Sequence, residues 1–351
     1  MDTDDDPFAM ELNTALVRDR GIARAGLFRY DGDSVVSLVI DHCVADGHLT
    51  MTLLSKLLGY YTAATEGRSP HPVAGRGLEP SLDARFDGRY GAAEQLPAIL
   101  ERFTPAALPT PALGRPAPTS RYGVGHLHLD RVATTALKHQ ARSRGGTVGA
   151  LLSGTVAAEL STMIHGPFLI AFPVDLRSRV QPRLRPDTEL LSIGMLVAEV
   201  DPTEPVDSAE LGRRISAQLT AGLDNALPQK GIVALKAPDA IPPQAHAAML
   251  ISNLGVVEAP PLPTGTELRS IRFGTTHPHP SPLLFASTTD GRLELDLVYD
   301  RTYFTDEQMT RLADGIHQRL TQFTGAPTLS TLAGTAAEHV APTKPLDTKR
   351  L

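Results

Sequence analysis

The sequence predicts a layered α/β fold with mixed sheets, and three observations carry that prediction. Short β-branched runs such as 35–40 and 168–172 alternate with Leu- and Ala-rich helical stretches such as 49–61 and 147–162. That alternation is the pattern of mixed layers, not of a bundle or a sandwich. The chain has 351 residues, 42% of them hydrophobic, enough to bury a substantial core over about two domains. Its 29 Gly and 29 Pro stay below the level at which low complexity becomes the default, and no repeat is visible.

The elements follow in order. Gly26-Leu27-Phe28-Arg29-Tyr30 alternates in polarity, and Asp31-Gly32-Asp33 is a turn signal, so a hairpin partner precedes the next strand. That strand, Val35-Val36-Ser37-Leu38-Val39-Ile40, is nearly all apolar, as expected where both faces are buried. A loop, His42-Cys43-Val44-Ala45-Asp46-Gly47, leads into a helix. Leu49, Leu53, Leu57 and Tyr61, flanked by Leu54 and Leu58, form an apolar stripe at helical spacing, expected to be core packing. Gly67 and Pro70 end it.

Prolines punctuate residues 67–122, which read as a crossing linker with one helix over 92–103. Beyond it come a strand at 125–129, a helix at 130–143 and a buried helix at 147–162. A strand at 168–172 runs into Pro173-Val174-Asp175-Leu176-Arg177. Residues 193–200 read as a strand, 208–223 as an amphipathic helix, and 249–254 and 267–273 as strands. A hairpin pairs 283–288 with 293–299 around Asp290-Gly291. The last helix, 305–321, has Thr305 as N-cap and Asp306 and Glu307 in its first turn. After residue 326 the small, polar composition predicts a loosely ordered tail.

Charge and cysteine content narrow the function classes. Lys plus Arg number 33 against 39 Asp plus Glu, a net charge of -6, which disfavours nucleic-acid and anionic-membrane binding. The single cysteine, Cys43, rules out an intrachain disulfide framework and an all-cysteine metal site. The start, Met1-Asp2-Thr3-Asp4-Asp5-Asp6, is the opposite of a signal peptide and reads as a solvated acidic end. No apolar run approaches the roughly 18 residues of a membrane span. A cytoplasmic protein is expected.

The chemistry candidate is His42-x-x-x-Asp46-Gly47, between a strand and a helix. A loop leaving a strand is exposed at the sheet end, where α/β proteins place their sites. A histidine there suits general base catalysis near neutral pH, while Gly47 permits close backbone approach. On spacing alone, a plain histidine beside a turn Asp-Gly competes evenly with this reading. Cys43 is read as a buried bystander on the opposite face. His42, Asp46 and His48 could chemically suit zinc. His277-Pro278-His279-Pro280 is read as a surface or channel-mouth loop, and Arg183 and Arg185 as a solvated loop in preference to a phosphopantetheine or carrier contact.

This motif, entered from residues 36–40 and followed by a Leu-rich helix ending in Tyr60-Tyr61, resembles the HHxxxDG region of the condensation-domain acyltransferases. These belong to the chloramphenicol-acetyltransferase-like superfamily. Thr147-Val148, Phe172-Pro173-Val174-Asp175-Leu176-Arg177, Ile193-Gly194-Met195 and Ile251-Ser252-Asn253-Leu254-Gly255 follow in that family's order, to about residue 325. The resemblance is strongest to the polyketide-associated, dimycocerosyl-transferase-like branch.

The resemblance implies a two-subdomain fold with mixed sheets. It divides the chain into a partial N-terminal subdomain at 1–66, the linker at 67–122, a C-terminal subdomain at 123–325 and the tail at 326–351. His42 matches the catalytic histidine, Gly47 the motif glycine, and Asp46 a structural aspartate that pairs with an arginine, matched to Arg177. Asn253 falls in a channel-lining segment. The first histidine of the usual pair is Asp41 here. Only 41 residues precede His42, so the N-terminal subdomain is expected to be shortened: either the start is truncated, or a partner or self-association completes the sheet, or the chain is a degenerate member.

The implied activity moves an acyl group from a coenzyme A or acyl-carrier-protein thioester to an alcohol or amine. It needs no bound cofactor and no metal, and a polyketide synthase or its carrier protein is an implied partner. A non-catalytic relative that binds a carrier or partner is the alternative, and a thioester hydrolase a third class.

Overall fold

Six helices open on a side chain that closes their first turn, with Asp6, Asp46, Asp130, Thr147, Asp207 and Thr305 each accepting from a backbone N–H two or three residues on. Such caps satisfy donors that the helix itself leaves orphaned. The computed structural model describes residues 6–30, 32–69, 77, 79–86, 88–90, 106–116, 118–202, 207–234, 247–276 and 278–325. The expected helix at 92–103 and the tail lie outside these residues.

Along the chain run α1 (Pro7–Asn13), β1 (Ala23–Tyr30), β2 (Asp33–Ile40), α2 (Gly47–Thr65), α3 (Leu82–Phe86) and β3 (Tyr122–Leu129). Then come α4 (Arg131–Ser143), α5 (Val148–Leu160), β4 (Phe168–Asp175), β5 (Ile193–Val200), α6 (Ser208–Asp224) and α7 (Leu227–Ala234). The last elements are β6 (Met249–Val256), β7 (Leu283–Thr289), β8 (Arg292–Asp300) and α8 (Asp306–Gln322). The fold is mixed α/β. A six-stranded sheet has the order β3-β8-β7-β6-β4-β5, with β6 parallel to both β4 and β7 and the other pairs antiparallel. β1 and β2 form a separate two-stranded ribbon.

The main core lies between the large sheet and helices α4, α5, α6 and α8. α5 is buried almost all round, with Leu152, Val156, Ala157 and Leu160 at 0–1% exposure, which explains its lack of a polar face. It crosses α6 at backbone contact distance. A Cβ on Gly154 would stand 1.8 Å from the Ser208 carbonyl oxygen, and one on Gly212 2.1 Å from that of Ala150. Only glycine fits either position.

Several expectations are corrected. β2 is not buried on both faces: Val35 and Val36 are 38% and 37% exposed, at the end of a strand that, among the described residues, pairs with β1 alone. The α2 stripe is core only at Leu49. Leu57 and Tyr61 are exposed, since they face a groove and not a second helix layer. Residues 267–273 alternate like a strand but form none. β8 already has a strand on each side, so this segment binds side chains instead: Arg292 Nη2 donates to the Leu268 carbonyl, and the Phe273 N–H to Asp296. The short helices α1, α3 and α7 were not expected. Asp6 is no free acidic end, for it caps α1 and meets Arg272 at 2.9 Å.

That contact belongs to a chain of ion pairs holding α1 and the 266–276 segment on the sheet. Arg272 Nε donates to Asp296 Oδ1 at 2.8 Å, and its guanidinium lies 4.2 Å from the centre of the Phe8 ring. His126, directly opposite Asp296 across β3 and β8, is 2.9 Å from it through Nδ1 and 3.1 Å from Glu294 through Nε2. Burial alone would lower the His126 pKa, but the two carboxylates overcome it and push it up to about 9. The folded value exceeds the ordinary 6.5, so this stabilisation is complete below about pH 6.5 and is lost as pH rises through about 9. Thermal melting between pH 6 and 10 should show the wild type losing Tm across this window, and His126→Gln losing less of it. Parallel decline of the two proteins would contradict this role.

Candidate active site

The loop after β2 is built by its own hydrogen bonds. Asp41 N–H continues the ribbon to the Ile22 carbonyl at 2.8 Å, and Val44 N–H turns back to the Asp41 carbonyl. Asp46 then starts α2, its Oδ1 accepting from Leu49 N–H at 3.0 Å. Within this turn His42 Nδ1 lies 2.7 Å from the Ala45 carbonyl oxygen. A carbonyl can only accept, so Nδ1 carries a proton, and in the neutral imidazole the lone pair is on Nε2.

The other oxygen of Asp46 joins the two sheets. Oδ2 accepts from Arg177 Nη2 at 2.8 Å and from Ser192 N–H at 2.9 Å. Both side chains of the pair are buried. Arg177 opens the turn after β4. It also meets Asp175 at 3.1 Å and the Leu190 carbonyl at 3.3 Å. Three donors, one on Oδ1 and two on Oδ2, thus bind the Asp46 carboxylate to structure. Among the described residues no group of three His, Cys, Asp or Glu side chains is set to hold a metal ion.

His42, exposed, opens into a groove of about 2230 Å³. β2, α1, α2, the 262–276 segment and the ends of β4, β5, β6 and β7 wall it. Gly47 sets the spacing between α2 and β6, since a Cβ there would stand 2.8 Å from Leu254 Cδ2. Asn253 also borders the groove, at an irregularity where β6 shifts register against β7, and its Oδ1 accepts from Gly255 N–H. The structure thus brings His42, Asp46, Gly47 and Asn253 to one groove, with Arg177 behind it.

The neighbours of His42 differ from expectation in one respect. Cys43 is exposed, not buried, because the tight turn after β2 breaks the alternation of an extended strand. Its N–H and thiol bond Asp41, and Arg18 lies 2.6 Å from the same carboxylate. These contacts hold Asp41 down to about 2 and raise the Cys43 thiol, with Asp41 the main cause. A thiol raised in this way is a poor nucleophile at neutral pH. Arg185 pairs with Asp187 at 3.0 Å, and His279 meets Ser281 at 3.2 Å, while His277 lies outside the described residues. Sequence reasoning missed the Ala45 carbonyl and the Ser192 N–H. They are backbone groups, and no residue type marks them.

Comparison with known proteins places the chain as a whole. Residues 118–304 match the family described as phthiocerol/phthiodiolone dimycocerosyl transferase C-terminus. Proteins named phthiocerol/phthiodiolone dimycocerosyl transferase from Mycobacterium bovis and Mycobacterium tuberculosis are each 26% identical over 261 residues, 69% of this chain and 60% of theirs. The chain thus spans about 60% of the length of these curated relatives. Among solved structures, polyketide synthase associated protein 5 from Mycobacterium tuberculosis has a TM-score of 0.70 at 19% identity, covering 87% of this chain and 76% of that one. The first condensation domain of the CDA synthetase has a TM-score of 0.67 at 18% identity, covering 88% and 68%. These two share the fold. The chain belongs to the phthiocerol/phthiodiolone dimycocerosyl transferase C-terminus family.

Breaking a buried ion pair from one side strands the other charge, at a cost of about 3–5 kcal/mol. Asp46→Ala and Arg177→Ala should each lose about that much stability in urea unfolding, and the double variant less than their sum. A loss below about 1 kcal/mol, the range of an exposed pair, would mean that the pair does not join the two sheets.

Proposed function

We propose that this family member is an acyltransferase of lipid or polyketide biosynthesis that moves an acyl group from a thioester to an alcohol or amine, with His42 as general base. The observation that carries the reading is the bond between His42 Nδ1 and the Ala45 carbonyl, which leaves Nε2 as the ring nitrogen available to act as base on a residue that borders the groove. Nε2 takes the proton as the acceptor's oxygen or nitrogen attacks the thioester carbonyl. The new C–O or C–N bond forms, the tetrahedral intermediate collapses, and the C–S bond breaks. The thiolate leaves with the proton that His42 returns. No covalent acyl-enzyme enters this scheme.

Asp46, Gly47 and Arg177 act as supports, by fixing the turn that holds the imidazole. Asn253 is a channel residue in this reading, with its amide NH2 available to the substrate. The donor is an acyl-coenzyme A or a phosphopantetheinyl carrier protein. A polyketide synthase is the proposed source of that carrier, in line with the name of the relative known as polyketide synthase associated protein 5. No helix among the described residues is long and apolar enough to cross a membrane.

A second reading has one observation in its favour. Among the described residues the sheet that delivers His42 is a two-stranded ribbon, as would suit a relative that binds a carrier or partner acyltransferase without turnover. The two separate in one assay, with acyl-coenzyme A or acyl-carrier donors incubated with candidate alcohols and amines and products read by mass spectrometry. The acyltransferase reading expects ester or amide product, and His42→Ala lowering the rate by about 10²–10⁴-fold with the fold unchanged. Full turnover by His42→Ala would overturn the mechanism. Free acid as the sole product would assign a thioester hydrolase instead.

A further inference from the structure

The contact between Asp46 and Arg177 has a third member, and that member faces the groove. Arg177 Nη1 and the Arg177 N–H both donate to Asp175 Oδ1, at 3.1 and 3.0 Å. One guanidinium thus serves two carboxylates, and no other described Lys or Arg meets either of them. The N-terminus of α2 and two backbone N–H groups offset the charge on Asp46, which leaves the excess negative charge at Asp175. The Asp175 side chain is 36% exposed, and its Oδ2 accepts no hydrogen bond from a described residue. All of these bonds lie between residues 46 and 192 of the chain.

The surface beside that oxygen is apolar. Successive residues of a strand point to opposite faces, and Phe172 packs in the core, so Pro173 and Asp175 share the groove face of β4. Their partners across the ladder are Met195 and Ile193, and all four border the groove. Met195 is 38% exposed on β5, the edge strand of the six-stranded sheet. A fixed carboxylate oxygen without a cation of its own, at the end of an apolar strip, suits an amphiphile with a cationic head. An anionic head would be repelled there.

We propose that Asp175 selects the acceptor, a long-chain amino alcohol whose ammonium donates to Asp175 Oδ2 and whose alkyl chain lies over Pro173, Ile193 and Met195. For turnover, though not for binding, this rests on the acyltransferase reading. An aliphatic amine titrates at about 10, so at neutral pH the held group is protonated and has no lone pair with which to attack. The hydroxyl attacks instead. Its proton passes to His42 Nε2 and on to the departing thiolate, the C–O bond forms, the C–S bond breaks, and the product is an ester that keeps its ammonium group. Asp46 occupies the neighbouring nitrogen of the same guanidinium and directly follows Ala45, whose carbonyl holds His42. The held amine therefore lies at the foot of the turn that carries the base.

Calorimetric titration of the full chain with decylammonium, decanoate and 1-decanol tests the site without turnover. The wild type is expected to bind decylammonium in preference to decanoate. Asp175→Asn keeps an oxygen for Arg177 and should weaken decylammonium by about ten- to a hundredfold, with 1-decanol unchanged. Met195→Lys adds a cation beside Asp175 from an exposed position and should turn the preference to decanoate, which keeps the test valid even if the asparagine disturbs folding. Equal binding of decylammonium by the wild type and Asp175→Asn, or no preference over decanoate in the wild type, overturns the inference. With octanoyl-coenzyme A as donor, the wild type should acylate the hydroxyl of 2-amino-1-decanol faster than that of 1-decanol, and Asp175→Asn should erase the difference through KM. Equal rates for the two acceptors in the wild type overturn it too. No transfer to either acceptor, with decylammonium still bound through Asp175, counts against the acyltransferase reading and upholds the binding site.

Discussion

The buried contact between Asp46 and Arg177 is the constraint on which the site depends. It connects the start of α2 to the turn after β4, two places 131 residues apart in the chain. In a desolvated setting an unpaired carboxylate is costly, and this one is satisfied on both oxygens by the guanidinium and two backbone N–H groups. The pair therefore acts less as a source of net stability than as a device of register. Only one placement of the β2–α2 turn against the six-stranded sheet meets all three donors.

His42 inherits its position from that arrangement. The residue is exposed and its ring is held by a single bond to Ala45, one residue before Asp46. Were the turn to shift, the carbonyl would move with it and the ring would lose its fixed tautomer. In the proposed mechanism the aspartate thus serves the base through four residues of backbone and makes no contact with it. The arrangement differs from a Ser-His-Asp triad, where the carboxylate bonds the imidazole directly.

Much of the fold was legible because its signals are local. The β1–β2 and β7–β8 hairpins, α2 and the capped helices α4, α5, α6 and α8 each follow from turn residues, caps and periodicity within the element itself. The failures share a different cause. Residues 267–273 have the alternation of a strand, yet a strand also needs a free neighbour, and β8 has none to offer. β2 is apolar enough for burial on both faces, but among the described residues Val35 and Val36 stay partly exposed. The partner of Asp46 was reached only through family resemblance. Nothing in the spacing of Asp46 and Arg177 announces their contact, and the Ser192 N–H leaves no mark in any side chain.

The same distinction bears on the groove. An apolar strand with Val35 and Val36 partly exposed conflicts with its own pattern within the described residues. Fuller burial of β2 calls for a layer or strand beyond those described. Consistency between local pattern and global structure is the mark of a natural sequence. A local signal that fails within one chain is therefore evidence about what lies against it.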